Sequence, residues 1–504
     1  MSKQMRNKIL SAILVFAMIA SVRLGLGMGV VRAEEESAPA MPKYIFFFIG
    51  DGMSHVQASA ARVYKGNNTE GEVLAGELNF TSFPVNGIAS TFDSTSFCPD
   101  SASTATAFSC GVKTHSGVIG LEVDKVTAPR NLSEILSQDL GYEIGIASTV
   151  TINHATPAAF YAHVASRNEY YDIAMQMADS GYNYFGGGTI NKPTGADKDQ
   201  QDAYEILVEK GYTVTNDPAE IMALDADADM VYAYTDCPQD GGALPYSLDA
   251  QEGQLTLSDY VTAGINVMGN PENGFFFMVE SGKIDWACHA NDAKATIYDT
   301  LELDNAIQVA LDFAAEHPDE TLIVVTGDHE TGGMTIGQSY TGYDTAFDLL
   351  AYQKMSFVAF DALVAGMLEE DPELTFEEVM PVITENFGLV TPVDASTAPD
   401  ERLVLSKYEY KKLLDAFETS LMTPEEQTNN EENYILYGGY NPLSVTLTHI
   451  LNNKSGIGWT SYSHTGTPVA VHAYGAGSEY FGGSYDNTDI YTAFLEAVGL
   501  AVNE

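Results

Sequence analysis

The sequence predicts an α/β fold with three layers, in which helices flank a largely parallel central sheet and one region is inserted as a cap or interface. Two observations carry this prediction. Short apolar runs that are typical of buried strands recur from residue 43 onward, and long helical patterns separate several of them. The clear predicted strands are Tyr44–Ile49, Glu143–Ala147, Phe275–Val279, Leu322–Thr326 and Val469–Tyr474.

The longest helical pattern and an irregular region complete this organisation. Leu303, Ile307, Leu311 and Ala314 recur at helical spacing and predict a stripe that faces the core. After residue 334 the alternation of strand and helix patterns is replaced by short helical segments, acidic loops and tyrosine-rich stretches. The predicted division is a signal peptide (1–33), one domain formed by 34–334 and 464–504, and an insertion (335–463) that forms a cap or dimer interface.

The first 33 residues have the pattern of an export signal. Basic residues precede an apolar run from Ile9 to Val22, and small residues surround a cleavage position that we predict after Ala33. The run ends at Arg23, so it is shorter than the about 18 apolar residues that span a membrane. We therefore expect a protein in the periplasm or outside the cell, without a membrane partner.

The charge of the chain restricts its partners. Its 504 residues include 70 acidic and 23 basic residues, for a formal net charge of −47. Salt screens such self-repulsion, so we predict a halophilic protein. Binding to nucleic acid or to an anionic membrane would need a basic face, which this composition disfavours. An anionic substrate would therefore need bound cations.

Acidic residues and histidines follow three of the predicted strands. Asp51 follows the first strand, Glu280 follows the strand that ends at residue 279, and Asp328 and His329 follow the next one. Ligand sites of open α/β sheets lie outside the carboxyl ends of strands. Asp51 alone is equally well explained as the cap of a helix that starts near Ser54. The coincidence of three strand ends favours a metal site.

A second set of potential metal ligands consists of one aspartate and two histidines. Asp285 and His289 are four residues apart at the start of a helix, so they lie on one face and can bind the same ion. His464 precedes the last predicted strand. Two histidines and one carboxylate suit a zinc ion with an open coordination position.

Ser101 opens a run of small residues that follows Asp100. The simplest explanation is an ordinary helix capped by Asp100. A serine in the first helical turn also lies beside free backbone N–H groups and the positive end of the helix dipole, which favour a phosphate and an ionised oxygen. No histidine is adjacent in sequence to act as a base, so a metal ion would have to lower the pKa of the hydroxyl.

The cysteines leave their pairing open. Cys98, Cys110, Cys237 and Cys288 permit three pairings as two disulfides, and their spacing does not choose among them. They form no CxxC pairs, so a thiolate zinc site is disfavoured and free or singly paired cysteines are preferred.

Six motifs, in family order along nearly the whole chain after the export segment, resemble those of the alkaline phosphatases. They are Ile49–Met53, Asp100–Ala107, Ala155–Ala159 with Ser166 and Arg167, Val279–His289, Gly327–His329 and His464–Gly466. The resemblance implies a homodimeric phosphate-monoester hydrolase with an alkaline pH optimum and a phosphoserine intermediate on Ser101.

By position, the resemblance also implies two zinc ions and one magnesium ion. Arg167 would bind two phosphate oxygens, a task suited to the bidentate geometry of a guanidinium. His154 and Trp286 would lie near the substrate where enteric members carry Asp and Lys, as in cold-active marine bacterial enzymes with a large insertion. The implied metal ligands are Asp285, His289 and His464 for the first zinc, Asp51, Asp328 and His329 for the second, and Asp51, Thr156 and Glu280 for magnesium.

Two other classes of function remain as alternatives. A phosphodiesterase or sulfatase of the same superfamily is one, because Cys98–Ser101 faintly resembles a sulfatase signature. The arginine expected after that cysteine is missing, and the pair of Thr156 and Glu280 favours a monoesterase. A non-catalytic phosphate- or metal-binding protein is the other, and it would not need the hydroxyl of Ser101.

Overall fold

The computed structural model describes residues 41–66, 73–237, 240–423, 426–427 and 431–501. The predicted signal peptide and the cleavage position after Ala33 lie outside these residues. Within the described ranges, none of the helices has the length and apolar character needed to cross a lipid bilayer.

The strands alternate with helices along the chain, as the apolar runs predict. The strands are β1 (Tyr44–Gly50), β2 (Val85–Ser90), β3 (Glu143–Ser148), β4 (Tyr184–Gly187), β5 (Thr213–Thr215), β6 (Val231–Tyr234), β7 (Phe275–Ser281), β8 (Thr321–Gly327), β9 (Glu330–Thr331), β10 (Thr335–Ile336), β11 (Ile457–Gly458), β12 (His464–Thr465), β13 (Val469–Gly475) and β14 (Gly483–Asp486). The helices are α1 (His55–Lys65), α2 (Ser101–Cys110), α3 (Leu132–Leu140), α4 (Ala155–Ala158), α5 (Tyr170–Ser180), α6 (Ala203–Glu209), α7 (Pro218–Met222), α8 (Leu257–Met268), α9 (Lys283–His289), α10 (Ala293–Glu316), α11 (Phe357–Glu370), α12 (Phe376–Phe387), α13 (Lys407–Ser420), α14 (Glu431–Tyr437), α15 (Pro442–Ser455) and α16 (Thr488–Ala497).

Ten of these strands form one sheet in the order β14-β2-β13-β8-β1-β7-β3-β4-β6-β5. Strand β1 pairs in parallel with β7 and β8, and β7 pairs in parallel with β3. Strand β13 runs antiparallel to both β8 and β2. All five predicted strands lie in this sheet, so the largely parallel α/β fold is confirmed. The reversed direction of β13 has a consequence for the site, because it brings the beginning of β13 to the edge where the parallel strands end.

Side chains of the sheet alternate between two apolar layers. Phe46 and Phe48 of β1 point into a cluster with residues of α1, α8 and α10, whereas Ile45, Phe47 and Ile49 point into a cluster with α2, α3, α4, α5 and α16. This alternation is the period of two that a β-strand imposes on its side chains. Helices therefore cover both faces of the sheet, which confirms the three-layer prediction.

The stripe of α10 and the inserted region share the first of these clusters. Leu303, Ile307 and Ala314 are buried in it and Leu311 is partly buried against it, as their spacing predicts. Apolar residues of 335–463 belong to the same cluster, from Phe347 to Ile457. Residues 335–463, called the inserted region below, therefore pack on the same apolar layer as the sheet, and their assignment as an insertion that forms a cap or dimer interface stays a prediction.

Candidate metal centre and active site

The first candidate metal group, called group one, consists of Asp285, His289 and His464. Each offers one ligand atom, and these atoms lie within 4.8 Å of one another. The Nε2 atoms of the two histidines are 3.1 Å apart, and His289 Nε2 is 3.3 Å from Asp285 Oδ2. Asp285 and His289 lie on α9, and His464 begins β12. The structure therefore joins the residues that spacing pairs on a helix with the histidine from the far end of the chain.

Backbone carbonyl groups orient both histidines of group one. His289 Nδ1 lies 2.6 Å from the carbonyl oxygen of Tyr462, and His464 Nδ1 lies 2.5 Å from that of Pro99. A carbonyl oxygen only accepts, so each Nδ1 carries the proton and donates it. The Nε2 atoms are then free of protons in the neutral rings, which is the state that ligates a metal ion.

The second candidate group, called group two, consists of Asp51, Asp328 and His329, and all three side chains are fully buried. His329 Nε2 is 3.4 Å from Asp51 Oδ1 and 3.3 Å from Asp328 Oδ2. Asp51 follows β1 directly, and Asp328 follows β8, the strand paired with it. Ser54 caps helix α1 through a capping box with Gln57, so capping does not explain Asp51.

Ser101 lies against group two. Its Oγ is 3.2 Å from His329 Nε2 and 3.4 Å from Asp51 Oδ2. The rings of His329 and His464 stack with centroids 3.6 Å apart, so the two groups are neighbours on one side of the serine. This arrangement places a hydroxyl beside two clusters of ligand atoms.

The position of Ser101 follows from helix α2. Asp100 caps the helix, since its Oδ1 accepts a hydrogen bond from the Ser103 N–H at 3.1 Å. Every residue of α2 is buried, which its small side chains permit. The helix ends at Gly111 in the left-handed conformation that glycine adopts readily. The simple capping explanation is therefore correct, and it coexists with a serine at the positive end of the helix dipole.

Arg167 is held beside this helix. Its Nη1 donates to Asp100 Oδ2 at 2.9 Å, and its Nη2 lies 3.2 Å from His154 Nε2. The His154 ring packs edge-on against Trp286, with centroids 5.9 Å apart. Burial, with help from the Arg167 charge, lowers the pKa of His154 to about 3, so this ring is neutral. Asp100 therefore caps α2 and orients the guanidinium with the same side chain.

A third set of oxygen atoms lies behind Asp51. Thr156 Oγ1 and Glu280 Oε1 are buried and make no hydrogen bond of good geometry among the described residues, although the Thr156 side chain lies close enough to Glu280 to oppose the rise in its pKa. The other oxygen of Glu280 accepts a hydrogen bond from the hydroxyl of Ser148. Buried polar atoms are nearly always satisfied, so this pair indicates room for a ligand. Carboxylate and hydroxyl oxygens suit magnesium.

The carboxyl groups of the centre repel one another in the protein alone. Burial raises the pKa of Asp51 well above its usual range, and the neighbouring carboxylates of Asp328 and Asp285 raise it further. Burial also raises the pKa of Asp328 to about 6 and that of Glu280 to about 7. Buried carboxylates are normally paired or metal-bound. The donor set and its electrostatics therefore fit divalent cations.

Two residues that were not among the predicted site residues, Glu330 and Thr331, lie beside the ligands. Thr331 donates its hydroxyl to Asp285 Oδ1 at 2.5 Å and lies 3.3 Å from His329 Nδ1, so it contacts both groups. Buried Glu330 accepts from Gln57 Nε2 at 2.8 Å and from the hydroxyl of Thr465. Their signal in the sequence is adjacency to Asp328 and His329. The structure leaves Cys98, Cys110, Cys237 and Cys288 unpaired, which is one of the two states that the sequence favours.

Acid and imidazole ligands at one edge of the sheet, beside a buried helix-initial serine, place the protein among α/β enzymes with a candidate multi-metal centre. A family model described as alkaline phosphatase matches residues 42–184 and 180–500. The chain therefore belongs to the alkaline phosphatase family, as the six motifs predict.

Known relatives agree with this assignment. The chain is 28% identical to alkaline phosphatase 3 of Bacillus subtilis, covering 90% of this chain and 89% of the relative, and 28% identical to alkaline phosphatase 4 of the same organism, covering 97% and 96%. A crystal structure of a cold-active alkaline phosphatase from a psychrophilic Shewanella has a TM-score of 0.72 at 26% identity, covering 90% of this chain and 99% of that chain. The enzyme of Thermus thermophilus has a TM-score of 0.72 at 25% identity, covering 95% and 96%.

Proposed function

We propose that the protein is a secreted alkaline phosphatase that hydrolyses phosphate monoesters through a phosphoserine on Ser101. The observation that carries the proposal is the position of this hydroxyl, 3.2 Å from a ligand atom of group two and at the start of α2. Export to the periplasm or the cell exterior, and a homodimer with residues 335–463 near its interface, belong to the same proposal.

Three cations complete the proposed site. Group one and group two hold one zinc ion each, and Asp51, Thr156 and Glu280 hold magnesium, so that Asp51 is shared. Bound cations of this kind lower the pKa of a nearby hydroxyl and stabilise the negative charge that develops during phosphoryl transfer. A variant of the alkaline phosphatase of the Antarctic bacterium TAB5, with histidine replaced by aspartate, has magnesium bound in a site designated M3. In this chain, the carboxylate and hydroxyl oxygens of Asp51, Thr156 and Glu280 suit the same ion.

Ser101 is the proposed nucleophile. Its oxygen attacks phosphorus, the bond from phosphorus to the alcohol oxygen breaks, and the alcohol departs with a proton. A water molecule then attacks the phosphoserine, which releases inorganic phosphate and restores the hydroxyl. Throughout these steps the free N–H groups in the first turn of α2 and the helix dipole favour the anionic phosphate.

Arg167 is the proposed phosphate clamp. Asp100 and His154 contact its two terminal nitrogens and fix the plane of the guanidinium. A guanidinium held in this way presents parallel N–H groups to two phosphate oxygens. Because His154 is neutral, it adds no competing charge beside Arg167. Trp286 limits the movement of the His154 ring by packing against it.

The test measures the release of nitrophenol from the nitrophenyl phosphate monoester, the diester and the sulfate ester, with and without a chelator. We expect the monoester to be turned over fastest and the chelator to abolish the reaction. Ser101→Ala should lower monoester turnover by about 10³-fold or more. Ser109→Ala removes a buried hydroxyl from the far end of the same helix and serves as the matched control.

Each alternative function predicts a different outcome of that assay. Diester or sulfate turnover equal to or above monoester turnover would support the diesterase or sulfatase. A protein that binds metal and phosphate but turns over none of the three esters would support the non-catalytic binder. Monoester turnover that is unchanged in Ser101→Ala would exclude the phosphoserine.

A further inference from the structure

Asn291 occupies a buried position with a left-handed backbone just after group one. It is 2% exposed, and its φ of +53° lies in the region that asparagine adopts more readily than other non-glycine residues. The contacts of its side chain connect three separate parts of the chain.

The side-chain amide joins α9 to the segment that leads to His464. Asn291 Nδ2 donates to the carbonyl oxygen of Cys288 at 2.8 Å and to that of Ser461 at 2.9 Å. Cys288 directly precedes the ligand His289, and Ser461 precedes Tyr462, whose carbonyl orients His289. One amide group therefore connects the backbones on which both histidines of group one depend.

The remaining atoms of Asn291 bind helix α15 of the inserted region. His449 Nε2 lies 3.0 Å from the side-chain oxygen Oδ1 of Asn291. Asn452 Nδ2 donates to the backbone carbonyl oxygen of Asn291 at 2.7 Å. The amide oxygen only accepts, so His449 donates. The His449 ring also stacks on Tyr462, with centroids 6.0 Å apart. Helix α15 thus contacts both Asn291 and the residue that orients His289.

We infer that Asn291 is a positioning residue for group one, and that the inserted region stabilises the metal ion of group one through it. The inference rests on the proposed function, because it assumes zinc in group one. The hydrogen bonds of Asn291 go to Cys288, Ser461, His449 and Asn452 rather than to the ligand atoms of group one, so it acts through the separation and orientation of His289 and His464. Supporting residues of this kind typically change metal affinity by 10- to 100-fold.

The test follows zinc release from the loaded protein to a coloured chelator. Wild-type protein should release zinc in a faster phase from the partly exposed group one and a slower phase from buried group two. Asn291→Gly removes the amide and keeps the left-handed backbone conformation accessible, so it tests the side-chain contacts. We expect it to speed the faster phase about 10- to 100-fold and to leave the slower phase within about twofold.

Activity supplies a second readout. The kcat of Asn291→Gly should fall at limiting zinc and recover with excess zinc, which loss of folded protein would not permit. Asn452→Ala removes one contact from α15 and should speed the faster phase about threefold to tenfold. Asn453→Ala changes the next residue of the same helix and serves as the matched control. Comparison of Asn452→Ala with Asn453→Ala tests the inference even if Asn291→Gly does not fold.

The outcomes separate this inference from the proposed function. A wild type that retains zinc in two phases, with both phases unchanged in Asn291→Gly and Asn452→Ala, would overturn the inference alone. Equal acceleration of both phases would also overturn it, because it would indicate general destabilisation. A wild type that holds no zinc would overturn the proposed function and this inference together.

Discussion

Group one and group two contain the same types of ligand but are built in different ways. In group two, Asp51, Asp328 and His329 follow adjacent parallel strands and are 0% exposed. In group one, the side chains of His289 and His464 are 23% and 15% exposed, and loop carbonyls orient them. Group two is therefore fixed by the sheet, whereas group one combines helix α9 with loop carbonyls and, in our inference, with contacts from residues 335–463.

The largest effect is expected at Asp51, which the proposal shares between group two and the magnesium set. Asp51→Asn should lower kcat/KM by about 10³-fold or more, because it weakens two ion sites next to Ser101. Metal analysis of the purified variant should show the loss of magnesium and of one zinc. The control is Asp304→Asn, a buried aspartate bonded to the backbone of Asn79. An Asp51→Asn variant that keeps its full metal content and full activity would contradict the proposal that Asp51 serves both ion sites.

Partial removal of metal sharpens the comparison directly. A brief exposure to chelator should remove the zinc of group one at least about tenfold faster than that of group two, because the ligands of group two are fully buried and the histidines of group one are partly exposed. Activity should fall with the first zinc and return when zinc is added. Loss of both ions at one rate would show that the two groups are equally accessible.

The inserted region should make the protein sensitive to acid. Burial lowers the pKa of His449 to about 4. Its unfolded-state pKa is about 6.5. The unfolded state therefore binds a proton first as pH falls through that range, so stability that is complete above pH 6.5 is lost toward pH 4. We expect wild type to lose about 2 kcal/mol more than His449→Gln between pH 7.5 and 5 in denaturant titrations of the metal-free proteins. Parallel losses in both proteins would contradict this linkage.

Salt should have the smallest effect. The chain has a net charge of −47, and salt screens repulsion between exposed charges. The melting temperature should rise between low and molar salt in wild type and in Asn291→Gly alike. A melting temperature that does not rise would refute the halophilic prediction. A rise in only one of them would show that charge acts on group one specifically.

Much of group two can be predicted from the sequence, because its ligands lie next to strands that are easily recognised. Tyr44–Ile49 and Leu322–Thr326 are apolar apart from hydroxyl groups at one end of each run, and residues that follow parallel strands meet at one edge of the sheet. The three layers follow from the same buried runs. Local pattern therefore sufficed where each ligand is fixed by its own strand.

The ligands of group one can be named from the sequence, but their convergence is harder to predict because they come from distant segments. His464 begins β12 and precedes β13, and the antiparallel direction of β13, which the apolar run of 469–474 does not reveal, brings this part of the chain to the site. Asn291 and Ser461 bond across 170 residues of sequence. The contact of Asp100 with Arg167 joins residues that are far apart in the sequence. The local pattern therefore predicts that Asp100 caps a helix, but it does not predict that Asp100 also orients the guanidinium.

The central claim is that the two metal groups act on one serine. The most direct measurement is mass spectrometry of wild-type protein that has been mixed with a phosphate monoester and quenched in acid during turnover. The account predicts one phosphorylated peptide, with the phosphate on Ser101, which is absent from Ser101→Ala and from chelator-treated protein. Phosphate on another residue, or steady turnover without any phosphorylated peptide at any quench time, would contradict it.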